Sequence, residues 1–200
     1  SSDYGNTWTA KDSSRLWYNV SLSSTGQYQT AVVYGGQIYV SSDYGNTWTA
    51  KQISRNWQAV SVSTSGQYQT AVVYGGQIYI SSDYGNTWTA KDSNRNWYRI
   101  SVSSSGQYQI ALVDGGQIYI SSDYGNTWTA KESSRSWTGI SVSSTGQYQT
   151  AVVQSNQIYI SSDYGNTWTA KESGRVWSGI AISNTAPIYP TGKYQTAVVY

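Results

Sequence analysis

The sequence predicts an all-β protein, and within that class a β-propeller of four-stranded blades. The first observation is repetition: SSDYGNTWTA begins at residues 1, 41, 81, 121 and 161, dividing the 200 residues into units 1–40, 41–80, 81–120, 121–160 and 161–200. Units of ~40 residues are propeller-blade size. The second is alternation of apolar and polar residues at period two, with no stretch carrying a helical period. The third is regular punctuation of these short runs by Gly, Asn, Asp and Ser. One domain spanning 1–200 is expected, with helix nowhere.

Residues 17 to 51 give the four strands of one unit in order. Trp17–Ser23 alternates, with Tyr18, Val20 and Leu22 predicted on one face and Trp17, Asn19 and Ser21 on the other. After Ser-Thr-Gly comes Gln27–Tyr34, whose Ala31-Val32-Val33 run reads as buried on both faces. Gly35-Gly36 turns the chain into Gln37–Ser41, and Asp43-Tyr44-Gly45-Asn46 turns it again into Thr47–Ala50. Such a sheet has apolar positions on both faces and cannot dry them alone. Stacking against copies on either side does so, and circular repetition removes exposed end faces. The first and last units are as apolar as the middle ones, which favours a ring over a straight stack. A β-solenoid fits less well, because its coils are shorter, run parallel and use fewer hairpin turns.

Composition excludes several kinds of chemistry. There is no His, Cys, Met or Phe, so His or Cys zinc ligation, disulfides, a Cys nucleophile and a Ser-His-Asp triad are impossible. Net charge is +2, spread thinly along the repeats, which is no nucleic-acid footprint. No apolar run approaches the ~20 residues of a membrane helix, so neither nucleic acid nor membrane is expected as a partner. No metal or other cofactor is expected. High Ser, Thr, Tyr and Gln content with few charges leans towards a secreted or surface protein. The sequon Asn19-Val20-Ser21 lies inside a predicted strand and reads as chance.

The motif Ser-x-Asp-x-Gly-x-Thr-Trp resembles the Asp-box (BNR) repeat. Its five copies place Asp3, Gly5 and Trp8; Asp43, Gly45 and Trp48; Asp83, Gly85 and Trp88; Asp123, Gly125 and Trp128; and Asp163, Gly165 and Trp168 in register. That family includes sialidases, sortilin-type receptors, some glycoside hydrolases and photosystem assembly factors, all β-propellers. The resemblance implies a structural hairpin between the third and fourth strands of a blade, at the rim and away from any catalytic face. Residue chemistry agrees, since a short Asp accepts hydrogen bonds from its own turn, Gly takes positive φ and Trp covers the hairpin.

Sialidase activity does not carry over with the resemblance. That chemistry needs converging arginines, whereas Arg15, Arg55, Arg95, Arg135 and Arg175 occupy one equivalent position per unit. A glycosidase also needs two carboxylates in unlike environments. Outside the boxes stand only Asp12, Asp92, Asp114, Glu132 and Glu172, and four of these five share one repeat position. No enzyme is expected.

The copies differ mostly between the box and the next strand: KDSSRLWYN, KQISRNWQA, KDSNRNWYR, KESSRSWTG and KESGRVWSG. Ring-shaped scaffolds carry ligand groups on such loops. Arg15, Arg55, Arg95, Arg135 and Arg175, each two residues before Trp17, Trp57, Trp97, Trp137 and Trp177, are therefore candidate ligand-binding residues. Guanidinium-on-indole stacking and sugar platforms are both open, and packing of each Trp between blades is the favoured reading.

The fifth unit departs twice from the others. The turn between its first and second strands gains six residues and holds both prolines, Pro187 and Pro190, and the chain ends at Tyr200 before any third strand. The last blade is thus expected to be shared by both termini, Ser1–Ala10 with Trp177–Tyr200, leaving unpaired backbone at Thr7–Ala10 and Thr196–Tyr200. A strand donated by another molecule, loose bridging by residues 1–4 and further blades are all compatible with that seam. The expected function is a non-enzymatic propeller scaffold, natural fragment or engineered, that self-assembles through the incomplete blade. The alternative is a multivalent carbohydrate-binding module with glycan partners.

Overall fold

In the computed structural model, residues 1, 3–154, 156–182 and 195–199 are described. All their regular structure is strand, paired antiparallel, with no helix among them. Blades are offset from the sequence units, each beginning at the Trp that follows Arg. The first runs from β1 (Trp17–Leu22) through β2 (Gln29–Ser41) to the start of β3 (Thr49–Val62). One half of β2 pairs with β1 and the other with β3, so the predicted Gly35-Gly36 turn is absorbed within a single long strand. The second blade takes the end of β3, β4 (Gln69–Ser81) and the start of β5 (Thr89–Val102).

The third blade comprises the end of β5, β6 (Gln109–Val113), β7 (Ile118–Ser121) and β8 (Thr129–Lys131). The fourth is β9 (Trp137–Val142), β10 (Gln149–Val153), β11 (Asn156–Ser161) and β12 (Thr169–Arg175). A further pair, β13 (Trp177–Ile182) with β14 (Gln195–Val199), stands beyond it.

A bulge at the start of each inner strand corrects the predicted alternation. Trp17 pairs with Val33 and Asn19 with Val32, so two steps on β1 answer one step on β2; the same slip recurs at Trp57/Ala59 and Trp97/Arg99. An extra residue reverses the side on which the following residues fall. Trp57 therefore shares a core cluster with Val60, instead of lying opposite to it.

The apolar core lies between blades. Val32, Ile38 and Val40 of the first blade pack against Trp57, Ala71, Val73, Tyr79 and Trp88 of the second. The second and third blades, and the third and fourth, repeat that sandwich. Polar pairs register the stack. The Thr30 hydroxyl donates to Gln69 Oε1 at 2.5 Å and the Thr70 hydroxyl to Gln109 Oε1 at 2.8 Å, all four residues belonging to facing sheets. The backbone N–H of Val62, Val102 and Ile182 donates to Ser21, Ser61 and Ser141 Oγ of the preceding blade. Turns link directly as well, with Ser24 N–H donating to the Thr64 carbonyl and Thr64 N–H to that of Ser104, both at 3.0 Å.

The sheets do not close. Thr7–Ala10, predicted as a fourth strand, forms none, because a fourth strand needs a third beside it to complete its ladder. Among the described residues β14 pairs with β13 alone, so no terminus-sharing blade is assembled. The predicted insertion around Pro187 and Pro190 lies outside the described residues.

Candidate functional site

The five Asp boxes adopt one geometry, illustrated by the copy at Ser41–Trp48. Asp43 Oδ1 accepts from the Ser41 hydroxyl at 2.8 Å and from Thr47 N–H at 2.9 Å, while Oδ2 accepts from the Thr47 hydroxyl at 2.6 Å. Gly45 N–H donates to Ser41 Oγ, Asn46 Nδ2 to the Asp43 carbonyl, and Trp48 Nε1 to the Gly45 carbonyl. The turn needs two consecutive left-handed residues, Tyr44 at φ 63° and Gly45 at φ 80°; only the second was legible as glycine. Side-chain and backbone bonds from Thr47 hold the Asp43 carboxyl at about 2, and the Asp3 and Asp163 carboxyls are likewise held at about 2, chiefly by Thr7 and Thr167. At Asp83 and Asp123 burial pushes upward, and bonds from Thr87 and Thr127 and from the box serines outweigh it, leaving both lowered. An ionised carboxylate whose two oxygens are occupied by its own turn is a fastener, with no proton to donate near neutral pH.

From the second blade on, the box glycine and tyrosine and the first-turn glycine also touch the blade before them. A Cβ on Gly85 would meet Val40 Cγ1 at 2.7 Å, and one on Gly106 would meet Tyr68 Cβ at 2.5 Å. Tyr84 stacks on Tyr28, Tyr124 on Tyr68 and Tyr164 on Tyr108, each with ring centroids 4.5 Å apart. Box and first turn therefore form a rim seam between neighbouring blades.

The Arg-x-Trp positions are built differently. Trp57, Trp97, Trp137 and Trp177 are buried, leaving no ring face for a ligand; Trp17, at the open end of the stack, is 38% exposed. Four of the guanidinium groups lie over the third-strand tyrosine of the blade that begins two residues later, Arg15 on Tyr39 at 4.4 Å, Arg55 on Tyr79 at 4.9 Å, Arg95 on Tyr119 at 4.7 Å and Arg135 on Tyr159 at 4.9 Å. The indoles are farther from the guanidinium, at 6.0 Å for Trp17 and 5.9 Å for Trp97, and meet the same tyrosines edge-on. Sequence reasoning missed these tyrosines, although their opposition to Ile38 and Val40 in the alternating strand was a usable signal. Arg175 is exposed. Arg15, Arg95 and Arg135 pair with Asp12, Asp92 and Glu132 three residues earlier, at 3.5, 3.9 and 3.8 Å. Each of those acids sits at left-handed φ, as does Gln52 at the equivalent place.

A cleft of about 810 Å³ lies on the open face of the first blade, lined by Trp8, Trp17, Trp48, Asn19, Gln29 and Asn46 among others. Its counterparts between inner blades are filled by the preceding sheet. Among the described residues no three carboxylates gather into a metal-holding group. Asn19 of the sequon has its Oδ1 occupied by the Val60 N–H at 3.0 Å, inside the stack.

Residues 38–53 match the BNR-Asp box repeat, spanning the third strand, the box and the outer strand of the first blade. No curated protein matches the chain. Among solved structures, a GH74 enzyme from Niastella koreensis superposes with a TM-score of 0.68 at 17% identity, over 92% of this chain and 28% of that one. YCF48 from Cyanidioschyzon merolae superposes at 0.61 and 16% identity, over 82% of this chain and 59% of that one. A YCF48 bound to D1 peptide gives 0.65 at 15% identity, over 88% and 60%. The chain spans under two thirds of each neighbour's length, and identities this low establish the fold alone. The chain thus carries a BNR-Asp box repeat at residues 38–53 on an all-β fold similar to that of these neighbours.

Proposed function

We propose that this chain is a non-enzymatic scaffold of Asp-box propeller blades that self-associates through the uncovered face of its first blade. One observation carries the reading: Val20, Leu22 and Trp17 are 57%, 54% and 38% exposed, while their equivalents Val60, Val62 and Trp57 are 4%, 9% and 0% exposed. A contiguous apolar face of this kind marks an interaction site. Its natural complement is a sheet bearing the residues that fill the inner interfaces. Thr196 of β14 stands at the position of Thr30 and Thr70, and Gln29 is the matching acceptor on the first blade. Head-to-tail contact between two copies reuses that pairing. Ala181 replaces Ser21, Ser61 and Ser141, removing one bond of the repeat, so this contact is weaker than an internal one.

Support for leaving catalysis out comes from the box carboxylates, whose oxygens are used within their turns. Support for protein partners in general comes from the neighbour that binds a peptide. Sedimentation equilibrium across a wide concentration range tests the proposal. Reversible association that weakens on Gln29→Ala is expected; a strictly monomeric particle at the highest concentration contradicts it. The cleft on the first blade, with three tryptophans beside amide side chains, favours carbohydrate binding as a second reading. Calorimetry against a glycan panel would then find one site per chain, removed by Trp17→Ala.

A further inference from the structure

In the repeated loop before each inner strand, the second blade differs from the others. In the other four loops the arginine has an acid three residues before it: Asp12, Asp92, Glu132 and Glu172 precede Arg15, Arg95, Arg135 and Arg175, whereas Gln52 precedes Arg55. The backbone does not explain the difference. Gln52 holds the same left-handed φ, 61° against 57° at Asp92 and Glu132, and its carbonyl accepts the same bond, from Gln37 Nε2 as Asp92 accepts from Gln77 and Glu132 from Gln117. The guanidinium is also in register, 4.9 Å over Tyr79.

What changes is the side chain beside it. Gln52 turns its Nε2 to the Trp88 carbonyl at 3.3 Å, and among the described residues no carboxylate lies within 4.0 Å of Arg55. The place that a carboxylate takes at Arg15, Arg95 and Arg135 is thus left without its anion, beside an arginine that is only half-buried. Because both Asp and Glu fill the equivalent place elsewhere, it tolerates carboxylates arriving at different reach. Lys51 adds a second cation to a loop that carries no acid. Ile53, 63% exposed, stands where the other copies have Ser13, Ser93, Ser133 and Ser173. A cation without its counter-ion, next to an exposed aliphatic side chain, is complementary to an acidic residue flanked by apolar ones.

We propose that Arg55 is a docking site for a carboxylate side chain of a peptide partner, with Ile53 contacting the apolar residue beside it. One guanidinium on an aromatic shelf supplies charge and direction, and the aliphatic contact supplies selectivity for peptide over free anion. This assignment is independent of contact between two copies, because the loop of the second blade lies outside the open face of the first.

Nuclear magnetic resonance of the arginine Nε–Hε groups tests it. Acetyl-Leu-Glu-Leu-amide should move the Arg55 signal saturably and leave those of Arg15, Arg95 and Arg135 in place. Acetyl-Leu-Gln-Leu-amide should move none, and acetate should need at least tenfold higher concentration. Gln52→Asp places in this loop the acid that two sister loops already carry, and it should abolish the Arg55 response while the thermal transition is retained. Ile53→Ser should weaken peptide binding several-fold without changing the acetate response. Absence of a saturable Arg55 shift, equal shifts at all four arginines, or undiminished binding in Gln52→Asp overturns the proposal. A stronger response to galacturonate than to the glutamate peptide overturns the peptide assignment in favour of a sugar acid.

Discussion

The first blade and the second are nearly the same sequence in different surroundings. Both contain Gln-Tyr-Gln-Thr-Ala-Val-Val-Tyr-Gly-Gly-Gln-Ile-Tyr and the same box, yet Trp57 is sealed between sheets while Trp17 borders a cleft. Trp8, in the segment that precedes the first blade, is 79% exposed, whereas Trp88 is buried under the preceding blade. Burial in this fold belongs to the neighbour as much as to the residue. In such a stack stability is a sum of blade terms and interface terms, and identical substitutions should cost different amounts at different positions.

The largest effect is expected from tryptophan. Trp97→Ala empties a fully buried site and should cost about 3–5 kcal/mol, whereas Trp17→Ala should cost no more than about 2 kcal/mol, both read from urea unfolding. Equal losses would mean that the inner interfaces are not the source of the burial energy. Next come the first-turn glycines. Gly26 and Gly106 share left-handed φ, at 75° and 85°, but an added Cβ meets nothing at Gly26 and the Tyr68 ring at Gly106. Gly26→Ala should cost about 1 kcal/mol from backbone strain alone and Gly106→Ala about 2–3 kcal/mol, and matching melting temperatures would remove Tyr68 from the account.

A smaller effect tests the polar pairs. Thr70→Val leaves Gln109 Oε1 buried without its donor and should cost about 1–3 kcal/mol. The chain already contains the natural counterpart of that change. Ile110 stands where the other described blades have Thr, and Gln149 Oε1 in the next blade is buried without a partner. Changing Thr70 should therefore make the second interface resemble the third.

The smallest effect is acid-dependent. Asp43 and Asp163 titrate at about 2 when folded against 3.8 when unfolded, so their contribution is complete above 3.8 and is lost as pH falls towards 2. The unfolding midpoint should drop across that window, and Asp43→Asn should make the drop shallower. A midpoint independent of pH there would show that the box carboxylates are not fasteners.

Much of this fold was legible because each rule it obeys is local. Period-two alternation, turn residues and the box motif located the strands and the Asp-box bonds. The face on which Trp17 lies was not legible, since a bulge is a property of two paired strands and leaves no mark in one of them. Nor was the arginine shelf, because Tyr39 and Arg15 are brought together by the third strand lying beside the loop, 24 positions away in the chain. The open face escaped notice for a further reason. Val20 and Val60 look alike in sequence, and only the presence of a sheet on one and not the other separates them.

Oxidative footprinting of the ten tryptophans in dilute solution tests the central claim most directly. The account predicts rapid modification of Trp8, slower modification of Trp17, and protection of Trp57, Trp97 and Trp137 until the chain unfolds. Uniform modification of all five, or protection of Trp8 and Trp17 equal to that of the inner three, would contradict an open stack of blades dried by their neighbours.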